Sequence, residues 1–580
     1  MRASFVLRGA LGCSIVCLLS LGCAHKKQAA EQSATAARQD LPEPPGLVAE
    51  LALGHPDTTF RALRELGSPR SALLPAGFPM LVSSLLGLPP LCADSFDPET
   101  ASVGAIAQGA QGELGWVFAL HTLSGPELVA KLSTGAHAPF RAEPAESHGL
   151  TLLRNATDAG GKPNAEFALG VFDNYLLVAS NAETLAAVGP YTARMLPKKP
   201  APNAGLALKI AQKPLATALV PRLRAAWAGY RTSLVSQDQA ARAAHGGRQA
   251  DFADPAQAIL ALDGGVESLL SVLESATALE LDVEPFSNRL EASLSLAAAP
   301  GSVAQALFAK LGPGDAKALL GLPLETRLAV GSSRSAAERE EAAQSAGDDW
   351  VRLLGERLSA RDAQTLRAVL ADFELGRGAH ASYGYVGGAA PGVFVSADVA
   401  DAEHLEHAIP GFLGLLAVPA LRAPLAEFVG QPKVSASKAL HTDVATHAEL
   451  AKISFVPLPD HGNSAPLPSI SCAWFVEDKL SLAAAGPDAA ALLEQLAHAA
   501  RGSVPALGSD AEVASAVERM GQEASLFAYA DARAGGASAD AANKPVPLFL
   551  SLGKHTDTGF VRLEISKRAV DLALGRLTGF

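Results

Sequence analysis

The sequence is short of cysteine, of aromatic residues, of clustered positive charge and of long apolar runs, and most of these shortages exclude a class of protein. Five cysteines occur in 580 residues, and three of them (Cys13, Cys17, Cys23) fall within the first 23. Cys92 and Cys472 remain for the body, without any C-x-x-C spacing, so no disulfide framework exists. In an oxidising compartment they either pair or stand as two buried free thiols. Net charge is −12, and basic residues form no run longer than a pair, as at Lys26-Lys27, Lys198-Lys199 and Lys567-Arg568. A nucleic-acid partner is thereby disfavoured, because phosphate binding needs a positive footprint. No apolar run after the N-terminus approaches the roughly 20 residues of a membrane span. Aromatics are 5%, and Ala, Gly and Leu dominate in their place. With 49% hydrophobic and 18% charged residues the composition is globular.

What is present begins at Met1. Arg2 and Arg8 precede an uncharged, mostly apolar stretch from Gly9 to Gly22, the layout of a secretion signal. Leu19-Ser20-Leu21-Gly22-Cys23 resembles the lipobox of bacterial lipoproteins, with a small residue before the cysteine; Ser20 departs from the Leu usual there. Val16 is too bulky for Cys17 to be the acceptor, and Cys13 would leave a very short apolar run. The resemblance implies cleavage after residue 22 and diacylation of Cys23, and two acyl chains anchor a protein stably. It also implies envelope localisation at the outer membrane, since Ala24 is not the Asp that often retains lipoproteins at the inner one. Residues 24–46 are polar, Ala/Gln-rich and end in Pro-Pro-Gly, so they read as a tether.

The body repeats one phrase: an alternating apolar strand, a turn of small or capping residues, then an amphipathic helix. It occurs at Leu47–Leu53, at Leu290–Leu296 and at Val561–Ser566, each with a following helix. Between these marks, Gly115–Leu120 parallels Gly392–Ala397, Glu166–Asn181 parallels Ser471–Gly486, Gly205–Ile210 parallels Ser525–Ala530, and Ala278–Glu284 parallels Pro547–Gly553. Asp173-Asn174 and Glu477-Asp478 sit between apolar strands as hairpin turns. Ser180-Asn181 and Gly486-Pro487 then start a helix by a cap or an N1 proline. The expected fold is α+β: two tandem repeats of largely antiparallel sheet, at 47–288 and 289–558, with a closing strand and helix at 559–580. Period-2 strands exposing one apolar face predict helices on that one face. Helical insertions are expected at 214–275, with a break at Gly246-Gly247, and as a helical pair at 335–373. Loops are expected at 376–391, 457–468 and 534–543.

The segment Asp173-Asn-Tyr-Leu-Leu-Val-Ala-Ser-Asn-Ala-Glu-Thr-Leu185 resembles a hairpin–helix phrase that recurs in secreted or lipid-anchored bacterial proteins of no assigned activity. The resemblance implies an envelope location and carries over no functional residue.

Catalytic and metal patterns are weak. Ser-x-x-Lys occurs at Ser435/Lys438 and Ser551/Lys554, in strand-like or loop settings rather than at a helix start. His404 and His407, with Glu403 and Glu406, are spaced to share a helix face. His441-x-Asp443 with His447 would share a strand face. His55, His121, His461 and His555 fall singly or in turns. There is no G-x-S-x-G, H-E-x-x-H, P-loop or Rossmann fingerprint. No cofactor, metal site or catalytic residue is therefore expected, and Cys23, as lipid acceptor, is the one assigned site. Three functions follow in order: a non-catalytic envelope lipoprotein that binds or scaffolds, most simply envelope proteins; a carrier of lipid or another apolar ligand; and an envelope hydrolase with a dispersed active site, betrayed by shifted pKa values in a polar cleft.

Overall fold

The structure, a computed structural model, describes residues 40–578 apart from 68–73, 136–137, 146–148, 157–166, 203–204, 245–254, 313, 356–357, 423–430, 457–468 and 536–543. The expected signal segment, Cys23 and most of the tether lie outside the described residues. So do Gly246-Gly247 and His461, the 457–468 loop and most of 534–543.

The chain forms two compact units. Among the described residues the first comprises 40–221 with 276–297 and 565–578, and the second comprises 222–275 with 298–564. The first holds ten strands: β1 (Leu47–Leu53), β2 (Ser102–Gln108), β3 (Leu114–His121), β4 (Phe140–Pro144), β5 (Thr151–Asn155), β6 (Ala168–Phe172), β7 (Tyr175–Ala179), β8 (Leu206–Ala211), β9 (Ala276–Pro285) and β10 (Arg289–Ala298). They pair antiparallel in the order β4-β5-β6-β7-β3-β2-β1-β8-β9, with β10 joined to β9 by a hairpin that Phe286 N closes on Arg289 O at 2.8 Å.

The second unit holds β11 (Thr326–Ser333), β12 (Arg377–Val386), β13 (Gly392–Val399), β14 (Gln431–Val434), β15 (Lys438–Leu440), β16 (Ala448–Val456), β17 (Ile470–Val476), β18 (Leu480–Gly486), β19 (Ala524–Asp531) and β20 (Pro547–His555). Strand β21 (Thr558–Ser566) follows across Thr556-Asp557. The pairing is again antiparallel, with β14 and β15 on successive parts of β16 and then β16-β17-β18-β13-β12-β11-β19-β20. Taken strand by strand, the two orders coincide. Strand β1 lies between β2 and β8, and β11 between β12 and β19.

Residues 376–391, expected as a loop, hold β12, and the recurring phrase falls at places in the sheets that do not correspond. Leu47–Leu53 holds the place of Thr326–Ser333, whereas the Leu290 phrase forms β10, outside β9. The strand–turn–helix phrase is a local signal, so it recurs at places that are not equivalent in the sheet. Helices Val220–Ala244 and Pro255–Glu274 match the expected insertion in extent, but most of that segment packs in the second unit. The charged 335–373 segment forms three helices, Ala336–Gln344, Asp348–Leu354 and Ala360–Gly376, rather than two, because Gly347, in a left-handed conformation at φ 83°, and Gly355 interrupt it.

The helices do not lie on one face. On β7, Leu176 and Val178 face one way, into a core with Leu128 and Leu132 of helix Gly125–Ser133 and with Phe78 and Leu81 of helix Phe78–Leu85. Leu177 and Ala179 face the other way, against Leu185 and Val188 of helix Ala182–Arg194. All four are buried, three of them to 0% exposure. The second unit is layered alike: Leu492, Leu496, Val513 and Val517 cover Ala473, Phe475 and Leu482 on one face. Helices Ala402–Leu415 and Ala360–Gly376 cover the other face. The run Leu176-Leu-Val-Ala is continuously apolar because a central strand buried on both sides has no solvent face to alternate with.

Local chemistry fixes the joints. Asp173-Asn174 is the expected two-residue turn, and Asp173 takes φ 50°. Asn174 O accepts bonds from Thr122 N (2.8 Å) and Thr122 Oγ1 (3.0 Å), which ties the turn to the start of helix Gly125–Ser133. A Cβ on Gly125 would fall 2.0 Å from Asp173 O, so only glycine allows that approach. Asn181 caps its helix by accepting from Thr184 N at 2.7 Å. In the second unit the cap is Asp488, one residue beyond Pro487, which therefore is not at N1. Lys567 Nζ donates to Glu65 O (2.7 Å) and Leu66 O (2.6 Å), a cation on the free carbonyls that end helix Pro56–Leu66.

Because both faces are covered, Leu176→Ala and Leu177→Ala should each lower unfolding free energy by about 2–5 kcal/mol. Urea denaturation of the mature chain checks this. A sheet packed on one face would leave one of the two substitutions nearly neutral.

Candidate binding cleft

Where β12, β13, β18 and β17 lie side by side, register sets Tyr383, Val395, Ala483 and Trp474 in one row across the sheet. Val393, Ala485 and Cys472 form the next row on the same face. Alanines in the middle of both rows leave a trough between larger side chains. Ile409, Phe412 and Leu413 of helix Ala402–Leu415 roof it, and Phe373 closes one side. The result is a cleft of about 370 Å³ with an apolar wall, within the size range of small-ligand sites. Its rim exposes large apolar groups, Val393 at 55% and Phe412 at 37%. A second hollow of about 310 Å³ shares Leu413 and Trp474 with the first and is lined further on by Arg422, Ser435 and Ser437.

The polar groups in the apolar cleft are chemically quiet. Burial pushes the Cys472 thiol up to about 11, so it is protonated at neutral pH and is no nucleophile. Burial also raises the Tyr383 hydroxyl, partly offset by Arg377. Cys472 and Cys92 are both buried free thiols.

A larger hollow of about 820 Å³ in the first unit mixes an apolar wall, with Leu51, Val103 and Leu196, with a row of charged side chains. Register across β1, β8 and β9 places Glu50 beside Lys209 and Lys209 beside Glu280. Lys209 pairs with Glu280, and Lys199 Nζ reaches both Glu50 oxygens at 2.5 and 2.6 Å. Desolvation, then the neighbouring Glu280, raises Asp282; desolvation, then Glu291, raises Glu284. These shifts come first from burial and then from like charges nearby, beside a cross-strand charge ladder of Glu50, Lys209 and Glu280. Among the described residues no group of three or more His, Cys, Asp or Glu is placed to hold a metal ion.

The candidates read from sequence do not assemble. His404 Nδ1 lies 2.8 Å from Asp372 Oδ1 on the neighbouring helix, while His407 is exposed. Residues 441–447 form a loop rather than a strand face, and Asp443 approaches His498 at 3.8 Å. Ser435 Oγ accepts from Lys452 N at 2.8 Å. Ser551 is fully buried in β20, whereas Lys554, three residues on and so on the opposite face, donates to Ala309 O. His121 bonds Asp97 at 3.1 Å and His555 bonds Glu523 at 3.1 Å. His55 precedes helix Pro56–Leu66 without a side-chain cap bond.

Asp531, at the end of β19, is a buried carboxylate of the second unit. It accepts from Arg327 (2.5 Å), from Arg533 (2.6 Å) and from the backbone N of Arg533 and Val546. Burial alone would raise its pKa, but the Arg533 side-chain and backbone bonds and the Val546 bond outweigh it and hold it below its ordinary value. The trough of alanines had no motif to announce it; its signal in the sequence was the small-residue run Ala483-Ala-Ala485 opposite Trp474.

No family model and no curated protein matches the chain. A solved structure titled "Structure of crystal form III of TP0453" aligns with 47% of this chain and 87% of that chain, at 11% identity and a TM-score of 0.20. A likeness at that level carries no argument.

Two outcomes follow from the site chemistry. In the native protein at pH 8, Cys472 should react with iodoacetamide about a hundredfold more slowly than in urea-unfolded chain, since its pKa lies about two units above an ordinary thiol; peptide mass spectrometry reads each cysteine separately. The Asp531 contribution to stability is present above the unfolded carboxylate pKa and is lost as pH falls through the lower folded value, so it fades only below about pH 4. Asp531→Asn should cost about 3 kcal/mol at pH 7, the low end for breaking a buried pair because both arginines are partly solvated, and the deficit should shrink in urea melts at acid pH.

Proposed function

We propose that the chain is a lipid-anchored protein of the bacterial envelope whose body binds rather than transforms its target, built as two copies of one α/β module. The address rests on the Leu19–Cys23 lipobox, and the anchor is Cys23. Under this reading the membrane partner is reached through acyl chains, the outer membrane is the site, and envelope proteins are the macromolecular partners. A net charge of −12 argues against nucleic acid. The duplication is supported by the coincident strand orders together with the ordered sequence parallels.

The binding role is carried by one observation, the apolar cleft under helix Ala402–Leu415 with its protonated Cys472 and exposed apolar rim. The same observation favours an apolar-ligand carrier as the more specific version of the role.

The anchor is tested in a bacterial host. The wild-type chain should fractionate with membranes and incorporate labelled palmitate, and Cys23→Ser should abolish the label and move the protein to the soluble fraction. A wild-type chain found in the cytosol with Met1 retained would overturn the reading.

A further inference from the structure

The two units place the same strands in the same order but fill one position differently. Counting from Gly115 in β3 and Gly392 in β13, the row Phe118–Val178 of the first unit corresponds to Val395–Ala483 of the second. Leu176 likewise corresponds to Ser481. In the first unit these bulky groups, with Trp116 ring-to-ring 5.4 Å from Phe118, occupy the space between sheet and helix. In the second those three are smaller, while Tyr383 and Trp474 stand at the two ends of the row where the first unit has Gly104 and Leu169, so the cleft is the gap between two large rings. Space of about 370 Å³ is room for a short hydrocarbon chain. An open cleft of that size walled by apolar side chains is wetted, and a hydrocarbon chain that enters it releases that water favourably.

What enters is limited by the far end. Past Leu413 and Trp474 the adjoining hollow is lined by Arg422, whose guanidinium makes no ion pair among the described residues, and by Ser437. In a chain of net charge −12, where most arginines of this unit meet a carboxylate, an unmatched cation at the end of an apolar trough complements an anion. We infer that the second unit binds a single-chain anionic amphiphile, its hydrocarbon chain in the cleft under helix Ala402–Leu415 and its head at Arg422. The inference deepens the binding role proposed above but does not depend on the anchor, because its test uses chain that carries no lipid.

The test uses the mature chain from residue 23 with Cys23→Ser, free of detergent, and isothermal titration with dodecanoate, dodecyl phosphate and dodecanol below their aggregation limits. One molecule of dodecanoate per chain should bind saturably. Ala483→Leu, which refills the trough, should weaken all three at least tenfold while leaving the melting temperature unchanged or higher. Ala485→Leu serves the same purpose if the first variant melts early. Arg422→Gln should weaken the two anions about tenfold and leave dodecanol unaffected. Tighter binding of dodecyl phosphate than dodecanoate identifies a phosphate head, and the reverse a carboxylate. Absence of saturable binding, binding that both leucine variants leave intact, or equal loss of dodecanol and anions in Arg422→Gln would overturn the inference.

Discussion

Strands in the middle of each sheet carry apolar side chains on both faces, and both faces must leave water. A fully buried leucine is worth about 1.5–3 kcal/mol over an exposed one, and β7 commits Leu176 and Leu177 to opposite sides. A single layer of helices would strand one of them in solvent. The three-layer arrangement, the closeness of Gly125 to the Asp173 turn and the Lys567 cap on helix Pro56–Leu66 all serve to hold helices against a sheet that needs cover twice.

The polar groups buried along the way are mostly spent on structure. Asp531 is saturated by two arginines and two backbone N–H groups, and Glu50, Lys209 and Glu280 alternate in sign across three strands. Groups tied up in this manner stabilise the fold and offer little chemistry. Filling is less dense in the trough between Tyr383 and Trp474, where the cover is present but the floor beneath it is built of alanine.

The same comparison explains why site residues proposed from spacing scattered. Ser551 and Lys554 obey a helical motif's spacing but sit on a strand, where three residues apart means opposite faces. His404 finds Asp372 on another helix before it can meet His407. Spacing has meaning only within the right secondary structure, and partners arrive from elements distant in sequence.

Local signals settled much of the architecture in advance. The α+β composition, the hairpin at Asp173-Asn174, the helix start at Asn181 and the long helices around 214–275 all depend on residues near one another in the chain, whose turn, capping and periodic preferences act without tertiary help. The rest needed distant strands to meet. Whether the sheet was covered once or twice, which strand of a repeated phrase pairs with which, and where alanines face one another across a register are questions about neighbours hundreds of residues apart. Only pairing across the sheet decides them, because a hydrogen-bonded row brings together side chains that no local pattern relates.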